Sequence, residues 1–530
     1  MRTSLALGAA IRSFAFHGDD VPVLHHVDAS FTPGTFTAIL GGSGSGKSTL
    51  GRLLAGWLSP VAGGTLHGHL ELAGTRLHFS GADDDPRINP AYWAGQVGFV
   101  PQDASSALST VRATVAEELA FGLENAGVGL AAMEAAVRRT ADLLGLAGLL
   151  CRHPGTLSGG QLRRLAIGCA VITEPPVLVL DEPFASLDAA GTDELSVLLR
   201  KLVAGGTAVV VLSQAIDAVL LEADWWLVMD AGTVSATGTP EELHVASGRL
   251  PAAIRRPAAQ QYSKQPVQAS AVPDAGATTH QHPRPATAKG VAAAAPLLEL
   301  RKVGFGYRSS RGRGRMSKAA TGGAGRNARN TVLQGIDLVL QPGEIVAVTG
   351  ANGTGKSTLL RHFNGLLRPT SGVVLVGGED IAGVPVGEVA ASVGLLFQNP
   401  RHQLFERTAA REVRFGLDRR FSPDEAEERT AAALAFVGLS AAAQDHPVEL
   451  PASRQRLLAL ATVLARRPSV LAMDEPTVAL DGAGLAVLDA AVRSAAAAGA
   501  AVVLVTHDVP YARSVADRVL MLDGGRLLGG

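Results

Sequence analysis

Two glycine-rich segments carry the side chains best suited to chemistry in this chain. GGSGSGKS occupies residues 41–48 and GANGTGKS occupies residues 350–357, and both fit the pattern G-x-x-x-x-G-K-[ST]. In a loop of this pattern, backbone N–H groups surround phosphates, the lysine reaches the β- and γ-phosphates, and the serine hydroxyl ligates Mg²⁺. The pattern therefore predicts two nucleotide phosphate sites, with Lys47 and Lys356 as the phosphate-binding cations.

Each segment stands between a run that predicts a strand and a run that predicts a helix. Apolar residues 36–40 and 345–348 precede the loops, and helical patterns at 50–58 and 359–367 follow them. This order places the phosphates at a helix N-terminus, where backbone N–H groups point at the anion. Further strand-like runs, such as 177–180, alternate with helical runs, which predicts a parallel α/β core around each loop.

The internal repeat predicts two domains, 1–250 and 297–530, because the same later motifs follow each loop. Residues 251–296 are rich in Pro, Ala, Gln and Ser without periodicity, which predicts a flexible or partly extended linker. The second half carries an extra segment, 308–330, with seven positive and no negative side chains. We interpret it as a solvated, disordered insertion; a surface for anionic lipid or RNA is the alternative.

Composition excludes several other classes. With 47% hydrophobic and 18% charged residues and a net charge of −1, the chain is typical of a globular protein with no overall bias toward nucleic acid. The two cysteines, Cys151 and Cys169, exclude a disulfide scaffold, and we expect both to be core thiols. Gly and Pro interrupt every apolar run before about 20 residues, and the N-terminus lacks a signal-peptide cleavage site. We therefore expect a cytoplasmic chain that reaches a membrane only through partners.

Further motifs follow both loops in the same order. In the first half they are VPQDA with Gln102, LSGGQ at 157–161, and VLVLDEP with Asp181 and Glu182. This order and spacing resemble the nucleotide-binding domain of ABC ATPases over nearly all of 1–245 and 297–530. The resemblance implies two P-loop NTPase domains of α/β class, each with a parallel sheet core, an antiparallel β subdomain and a helical subdomain, and it implies ATP and Mg²⁺ as ligands.

The resemblance also assigns roles to residues, and elementary chemistry supports them. An Asp at the end of a strand can hold the Mg²⁺ that bridges the β- and γ-phosphates, and the adjacent Glu can orient or deprotonate the attacking water. The implied Mg²⁺ ligands are Ser48, Gln102, Asp181, Ser357, Gln398 and Asp474. The implied ATP-binding residues are Gly41, Gly42, Ser43, Gly44, Ser45, Gly46, Lys47, Ser48 and Thr49 in the first half, Gly350, Ala351, Asn352, Gly353, Thr354, Gly355, Lys356, Ser357 and Thr358 in the second, and Ser158, Gly159, Gly160 and Gln161 of the signature LSGGQ. Phe16 and Tyr307 are candidates to stack on adenine, with core aromatics as the alternative.

The two halves differ at positions that matter for hydrolysis. His507, in VTHD, matches the switch histidine of the family, whereas Gln214 stands at the same distance after the first Asp-Glu pair. The second half has LPASR at 450–454 in place of LSGGQ. A proline, which has no N–H, replaces the serine, and two residues that carry a Cβ atom replace the two glycines. In the family, two domains pair head to tail, which would place both defects in one site. We expect one hydrolytic site, with Glu475 and His507, and one degenerate site that retains Glu182.

Two strings indicate the subfamily. FQNPRHQLF at 397–405, with EVRFGL after it, and TVAEELAFGLEN at 114–125 resemble the ATPases of energy-coupling factor importers and cobalt/nickel uptake systems. This resemblance implies a peripheral protein at the cytoplasmic face of the cell membrane that drives vitamin or transition-metal uptake. Its partners would be an integral membrane coupling subunit and a substrate-binding membrane protein. One chain would form a pseudo-dimer, and no nucleic acid is expected. The first half departs from the family at QDASSAL, 102–108.

Rival classes remain open. Soluble tandem ABC ATPases that act on the ribosome usually have a long, charged, helical linker and two intact signatures. DNA-repair ABC ATPases carry a coiled-coil insertion that this chain lacks. Tandem sugar-import ATPases typically have a degraded second phosphate loop, whereas the loop at 350–357 is intact.

Overall fold

The computed structural model describes residues 6–19, 21–59, 61, 63–185, 187–245, 250–251, 253–255, 295–308 and 329–529. Most of the predicted linker, 251–296, and of the predicted basic insertion, 308–330, lies outside the described residues.

The first domain contains ten strands and seven helices within the described ranges. The strands are β1 (Leu7–Phe16), β2 (Leu24–Phe31), β3 (Phe36–Gly41), β4 (Gly64–Leu72), β5 (Thr75–Ser80), β6 (Val97–Val100), β7 (Val177–Asp181), β8 (Ala208–Ser213), β9 (Trp225–Asp230) and β10 (Thr233–Gly238). The helices are α1 (Lys47–Leu54), α2 (Pro90–Gln96), α3 (Val115–Asn125), α4 (Leu130–Leu143), α5 (Gly159–Val171), α6 (Ala189–Ala204) and α7 (Pro240–Val245). Short 3₁₀ turns lie at Ala104–Ala107, Ala147–Leu149, Pro154–Thr156 and Ala218–Glu222.

The second domain repeats the order of elements. Its strands are β11 (Leu298–Arg308), β12 (Arg329–Leu340), β13 (Ile345–Thr349), β14 (Ser371–Val376), β15 (Glu379–Asp380), β16 (Val393–Leu396), β17 (Val470–Asp474), β18 (Ala501–Val505), β19 (Arg518–Asp523) and β20 (Arg526–Leu528). Its helices are α8 (Lys356–Phe363), α9 (Val386–Val389), α10 (Ala409–Arg414), α11 (Pro423–Phe436), α12 (Ala452–Leu464), α13 (Gly482–Ala497) and α14 (Val509–Val515). Its 3₁₀ turns are Ile381–Gly383, Pro400–His402, Leu417–Arg419 and Ser440–Ala442.

Each domain has one mainly parallel and one antiparallel sheet. The six-stranded sheets have the orders β10-β9-β3-β8-β7-β6 and β16-β17-β18-β13-β19-β20, and only the edge strands β10 and β20 are antiparallel to their neighbours. The four-stranded sheets, β2-β1-β4-β5 and β12-β11-β14-β15, are antiparallel. The predicted α/β fold, with two similar P-loop domains, is confirmed.

The central strands are apolar along their whole length because both faces of the parallel sheet are covered. In β8, Val209 and Val211 pack into the core on the helical face of the parallel sheet. Val210 and Leu212 point to the opposite face and pack into the core between this sheet and the antiparallel sheet. Helix α1 lies in the second of these layers through Leu50 and Leu53. The phosphate loop between β3 and α1 is therefore held by two packed elements.

Two expectations from the sequence are corrected. The helices after the loops end at Leu54 and Phe363, earlier than the patterns 50–58 and 359–367 predict, because glycines with positive φ follow: Gly56 at 67° and Gly365 at 74°. Cys169 is partly buried in the helical core as expected, but Cys151 is exposed.

Of the helices in the described part of the chain, none is both long and apolar enough to span a bilayer.

Candidate active site

The two phosphate loops share one conformation. Gly46 (φ 91°) and Gly355 (φ 102°) turn the chain through the left-handed region immediately before α1 and α8 begin. Lys47 Nζ donates to the carbonyls of the loop's first two residues at 2.7 and 2.9 Å, and Lys356 Nζ does the same at 2.8 and 2.9 Å. Each lysine ammonium group is thereby held beside the first two residues of its own phosphate loop. Burial lowers the pKa of both lysines, and nearby carboxylates oppose that shift.

The strands β7 and β17 deliver an aspartate to each loop. Burial raises the pKa of both Asp181 and Asp474, and a hydrogen bond with Ser48 or Ser357 opposes the shift. Within the described residues, Oδ1 of each aspartate is buried and has no hydrogen-bond partner. A buried carboxylate oxygen beside a serine hydroxyl is a donor set that suits Mg²⁺, so the residues fit the metal that the sequence implies. When bound, Mg²⁺ neutralises charge on the β- and γ-phosphate oxygens.

The glutamate that follows each aspartate is held in a strained backbone conformation. Glu182 has φ 51° and Glu475 has φ 49°, and their N–H groups donate to strand carbonyls at 2.9 and 2.8 Å. The Glu182 carboxylate accepts from the Gln214 N–H at 2.9 Å, and the Glu475 carboxylate accepts from the His507 N–H at 3.2 Å. Burial raises the pKa of Glu182 to about 8, although the charge of Lys47 opposes this shift. Both carboxylates are thus tied to the loop that carries the switch position.

The domains contact each other head to tail. Asp188, after β7 in the first domain, accepts from the Asn352 N–H of the second phosphate loop at 3.0 Å. Asp481 reciprocally accepts from the Ser43 N–H of the first loop at 2.9 Å. This reciprocal pair brings each phosphate loop to the signature region of the other domain.

A cavity of about 690 Å³ lies where the second phosphate loop faces the intact signature. Its lining includes Tyr307, Lys356, Ser357, Thr358, Gln398, Asp474 and Glu475 of the second domain and Gln102, Ser158, Gly159 and Gly160 of the first. Gln102 was expected at the other phosphate site, yet it borders this cavity. A Cβ on Gly159 would meet nothing within 4 Å in the described structure, so the signature backbone is open to a ligand.

Other predicted residues lie as follows. His507 Nδ1 is 2.8 Å from the Glu475 carboxylate, so the predicted switch histidine is next to the expected base. Tyr307 is 43% exposed, and its hydroxyl is 3.2 Å from Thr358 Oγ1. Phe16, which was expected at the first phosphate site and not at this cavity, has its ring 5.3 Å from that of Phe14, edge to face, against the core. Gln161 and Ser158 cap α5 reciprocally.

The opposite side of the interface differs. The N-cap of α12 is Pro451, which makes no side-chain cap, and Ser453 is buried with its hydroxyl 2.5 Å from Ser43 Oγ. Gly42 is buried and Ser43 half-buried, whereas the matching Ala351 and Asn352 are exposed. The first phosphate loop is therefore covered directly by protein at the damaged signature.

Sequence reasoning missed two arginines, the half-buried Arg163 on α5 and the buried Arg456 on α12. Arg163 donates to the carbonyls of Glu182, at 2.7 Å, and of Gln102, at 3.3 Å. Arg456 donates to the carbonyls of Glu475, at 2.9 Å, and of Gln398. Burial lowers the pKa of Arg456 to about 10. Their equal distance from the following glutamate in both halves was the signal that could have found them.

Comparison with known proteins decides the family. The family profile described as "ABC transporter" matches residues 24–185 and again 333–478. The chain belongs to the ABC transporter ATP-binding family. It is a tandem ABC ATPase, an enzyme that hydrolyses ATP and uses Mg²⁺. An ABC transporter ATP-binding protein of Streptomyces avermitilis is 36% identical, with 97% of this chain and 92% of the relative aligned.

A further relative and a solved structure cover different shares of this chain. A protein of the same designation from Methanosarcina acetivorans is 32% identical, with 96% of this chain and 83% of the relative aligned. Among solved structures, cbiO1 from Clostridium perfringens, part of the ABC transporter complex cbiONQ, is 28% identical and covers 44% of this chain and 87% of its own, with a TM-score of 0.38.

Proposed function

We propose that this tandem ABC ATPase is the energy-coupling subunit of an importer of the energy-coupling factor type, which takes up a vitamin or a transition metal. It would bind as a peripheral protein at the cytoplasmic face of the cell membrane. Its partners would be an integral membrane coupling subunit and a substrate-binding membrane protein. The strings at 397–405 and 114–125 support the subfamily, because they follow the pattern of such ATPases.

The observation that carries the proposal is an exposed aromatic pair in the second domain. Phe405 and Phe415 are 64% and 47% exposed, and their rings meet edge to face with centroids 4.7 Å apart. Asn399, Arg401 and His402, which precede the pair, are also exposed. An apolar surface with a polar rim is typical of a protein–protein contact and suits an amphipathic helix of a membrane subunit.

This surface is connected to the ATP site by short bonds. Gln403 Oε1 accepts from the Phe397 N–H at 3.0 Å, which fixes the loop to the end of β16. Gln398 borders the cavity, and Arg456 joins its carbonyl to that of Glu475. A displacement of the docked helix would therefore reach the catalytic carboxylate through a few rigid contacts.

We further propose that only the site with the intact signature hydrolyses ATP at a high rate. Lys356 and the loop N–H groups would hold the phosphates, and Glu475 would orient and deprotonate the attacking water. His507 would contact the γ-phosphate from its position beside Glu475, and Ser158 with Gly159 would close the site from the other domain. The degenerate site would bind ATP and turn it over poorly.

Cross-linking to the membrane partner tests the importer proposal. In a variant lacking Cys151 and Cys169, His402→Cys should cross-link to a multi-spanning membrane protein in native membranes. The matched control is Glu379→Cys, exposed on the antiparallel sheet of the same domain. Cross-links of equal yield from both positions, or association with ribosomes in place of membranes, would contradict the proposal.

A further inference from the structure

A short segment at the start of the interdomain linker is packed and hydrogen-bonded. Residues 250, 251 and 253–255 follow α7, and we call them the clasp segment. Leu250 and Ile254 are buried in the helical core of the first domain, at 6% and 2% exposure. The Ile254 N–H donates to the Pro251 carbonyl at 3.0 Å, which closes a turn. The segment is thus anchored to the first domain by burial.

The clasp segment lies beside the degenerate switch position. Arg255 N–H donates to the Gln214 carbonyl, and Ile216 N–H donates to the Arg255 carbonyl, both at 2.9 Å. These two bonds form an isolated parallel bridge just after β8. The backbone of Gln214 is therefore held by the clasp segment as well as by Glu182.

The same segment contacts the second domain. The Gly482 N–H, next to Asp481, donates to the Ala253 carbonyl at 2.8 Å. Ala253 also packs on the first phosphate loop, so closely that a Cβ on Gly42 would lie 2.4 Å from the Ala253 Cβ. Ala253 thus fills the space between the phosphate loop of one domain and the start of α13 in the other.

Arg255 links the switch loops of both domains. Its guanidinium pairs with the Asp508 carboxylate, and Asp508 directly follows His507. Arg255 also interacts electrostatically with Asp217, three residues after Gln214. The pair is mostly shielded from water, since the side chains of Arg255 and Asp508 are 25% and 12% exposed, so salt screens it weakly.

We propose that the clasp segment holds the degenerate half of the interface closed, and that Arg255 is a positioning residue that fixes His507 of the intact site through Asp508. The proposal rests on the site asymmetry stated above but requires no membrane partner. On the degenerate side, Ser43–Ser453, Asp481–Ser43 and Gly482–Ala253 join the domains directly, so this side can stay closed while the intact side opens.

Cross-linking tests the first half of the proposal. In a variant without native cysteines, Ser43→Cys with Ser453→Cys should form a disulfide equally well without nucleotide, with ADP and with a non-hydrolysable ATP analogue. The matched pair on the intact side, Asn352→Cys with Gly160→Cys, should require the analogue. Adding Arg255→Ala should make the first pair nucleotide-dependent. Equal nucleotide dependence of both pairs, or no effect of Arg255→Ala, would overturn the closed-side proposal.

Kinetics test the positioning role. Arg255→Ala should lower kcat for ATP by about 10- to 100-fold with little change in KM, because misplacement by about 1 Å costs on this order. Asp508→Asn keeps the cap that Asp508 gives α14 and should cause a similar loss. The double variant should be no worse than either single variant, because both disrupt one pair. Arg255→Lys should recover part of kcat.

Two controls separate positioning from folding. Arg200→Ala removes an exposed ion pair of the first domain and should leave kcat unchanged. Thermal unfolding should show that Arg255→Lys remains folded, so its kinetics can be interpreted even if Arg255→Ala is unstable. Wild-type kcat in a folded Arg255 variant, or independent losses in the double variant, would exclude the positioning role.

Discussion

Exchange of each proposed general base, Glu475 and Glu182, for glutamine separates the two sites most directly. The two glutamates have nearly the same local geometry in the structure. Each has a backbone φ of about 50°, each donates its backbone N–H to a strand carbonyl, and each carboxylate accepts a hydrogen bond from the N–H at the switch position. Glutamine keeps the size and an acceptor oxygen, so Glu475→Gln and Glu182→Gln should both fold. Only the basic group is lost, and any difference in rate must come from the rest of each site.

The expected losses differ widely. Loss of a general base costs about 10²–10⁴-fold in rate, which corresponds to about 3–5 kcal/mol in the barrier. Glu475→Gln should therefore nearly abolish steady-state hydrolysis, because Glu475 lies in the cavity that contains the intact signature. Glu182→Gln should lower the rate by less than about threefold, since the intact site continues to turn over. The degenerate site lacks the switch histidine and faces Pro451.

The assay is phosphate release by the purified chain at saturating ATP, with bound nucleotide counted after rapid filtration. Glu428→Gln, an exposed exchange on α11, controls for the loss of one charge. We expect Glu475→Gln to retain ATP at both sites. Lys47→Ala should keep most hydrolysis yet reduce transport in the assembled complex, because ATP at that site contributes to domain closure. Equal losses from Glu182→Gln and Glu475→Gln would show that both sites hydrolyse and that the interpretation of Gln214 and Pro451 is wrong.

Three further outcomes follow from the structure. Cys151 should react readily with a thiol reagent at pH 8, whereas Cys169 should react only after denaturation, because burial raises its pKa to about 12 and leaves little thiolate; two fast thiols would contradict this. Tyr307→Ala should raise the KM for ATP about tenfold if stacking on the base is worth about 1–3 kcal/mol, whereas Phe16→Ala should lower the melting temperature and leave that KM unchanged. Carbonate washing should release the protein from membranes, and retention after the wash would show that it is integral.

The fold was largely predictable because the strongest signals are local. The loop at 41–48 lies between β3 and α1 as predicted, since an apolar run, a glycine-rich turn and a helical pattern each specify their own element. Helix ends were less predictable. The apolar pattern continues past Leu54, but Gly56 adopts a left-handed conformation and ends the helix.

The site was predictable where each residue belongs to a motif and less so where tertiary contacts decide. The cavity joins Lys356, Asp474 and Glu475 to the intact signature, in the combination that the head-to-tail hypothesis requires. Neither Arg456 nor the clasp segment was recognised. Arg456 acts through a buried side chain that bonds to carbonyls, and its only trace in the sequence is the spacing to the following glutamate that both halves share. The clasp segment follows no period, and Ile254 is buried through tertiary contacts with the core of the first domain.

The two halves of the interface are joined by different means, and this difference constrains the cycle. On the intact side the Asn352 N–H still donates to Asp188, but a cavity of about 690 Å³ separates the phosphate loop from the signature, so a ligand must complete that contact. On the degenerate side Ser453 already bonds to Ser43, and Ala253 connects Gly482 to the first domain.

A chain that carries both domains raises their effective concentration, and a direct contact on one side lowers the entropy lost when the other side closes. We therefore expect closure to be a rotation about the degenerate side, driven by ATP at the intact site, with one ATP hydrolysed per cycle. Single-turnover phosphate release of one equivalent per chain, with the second nucleotide still bound, is the measurement that checks this; release of two equivalents at one rate would refute it.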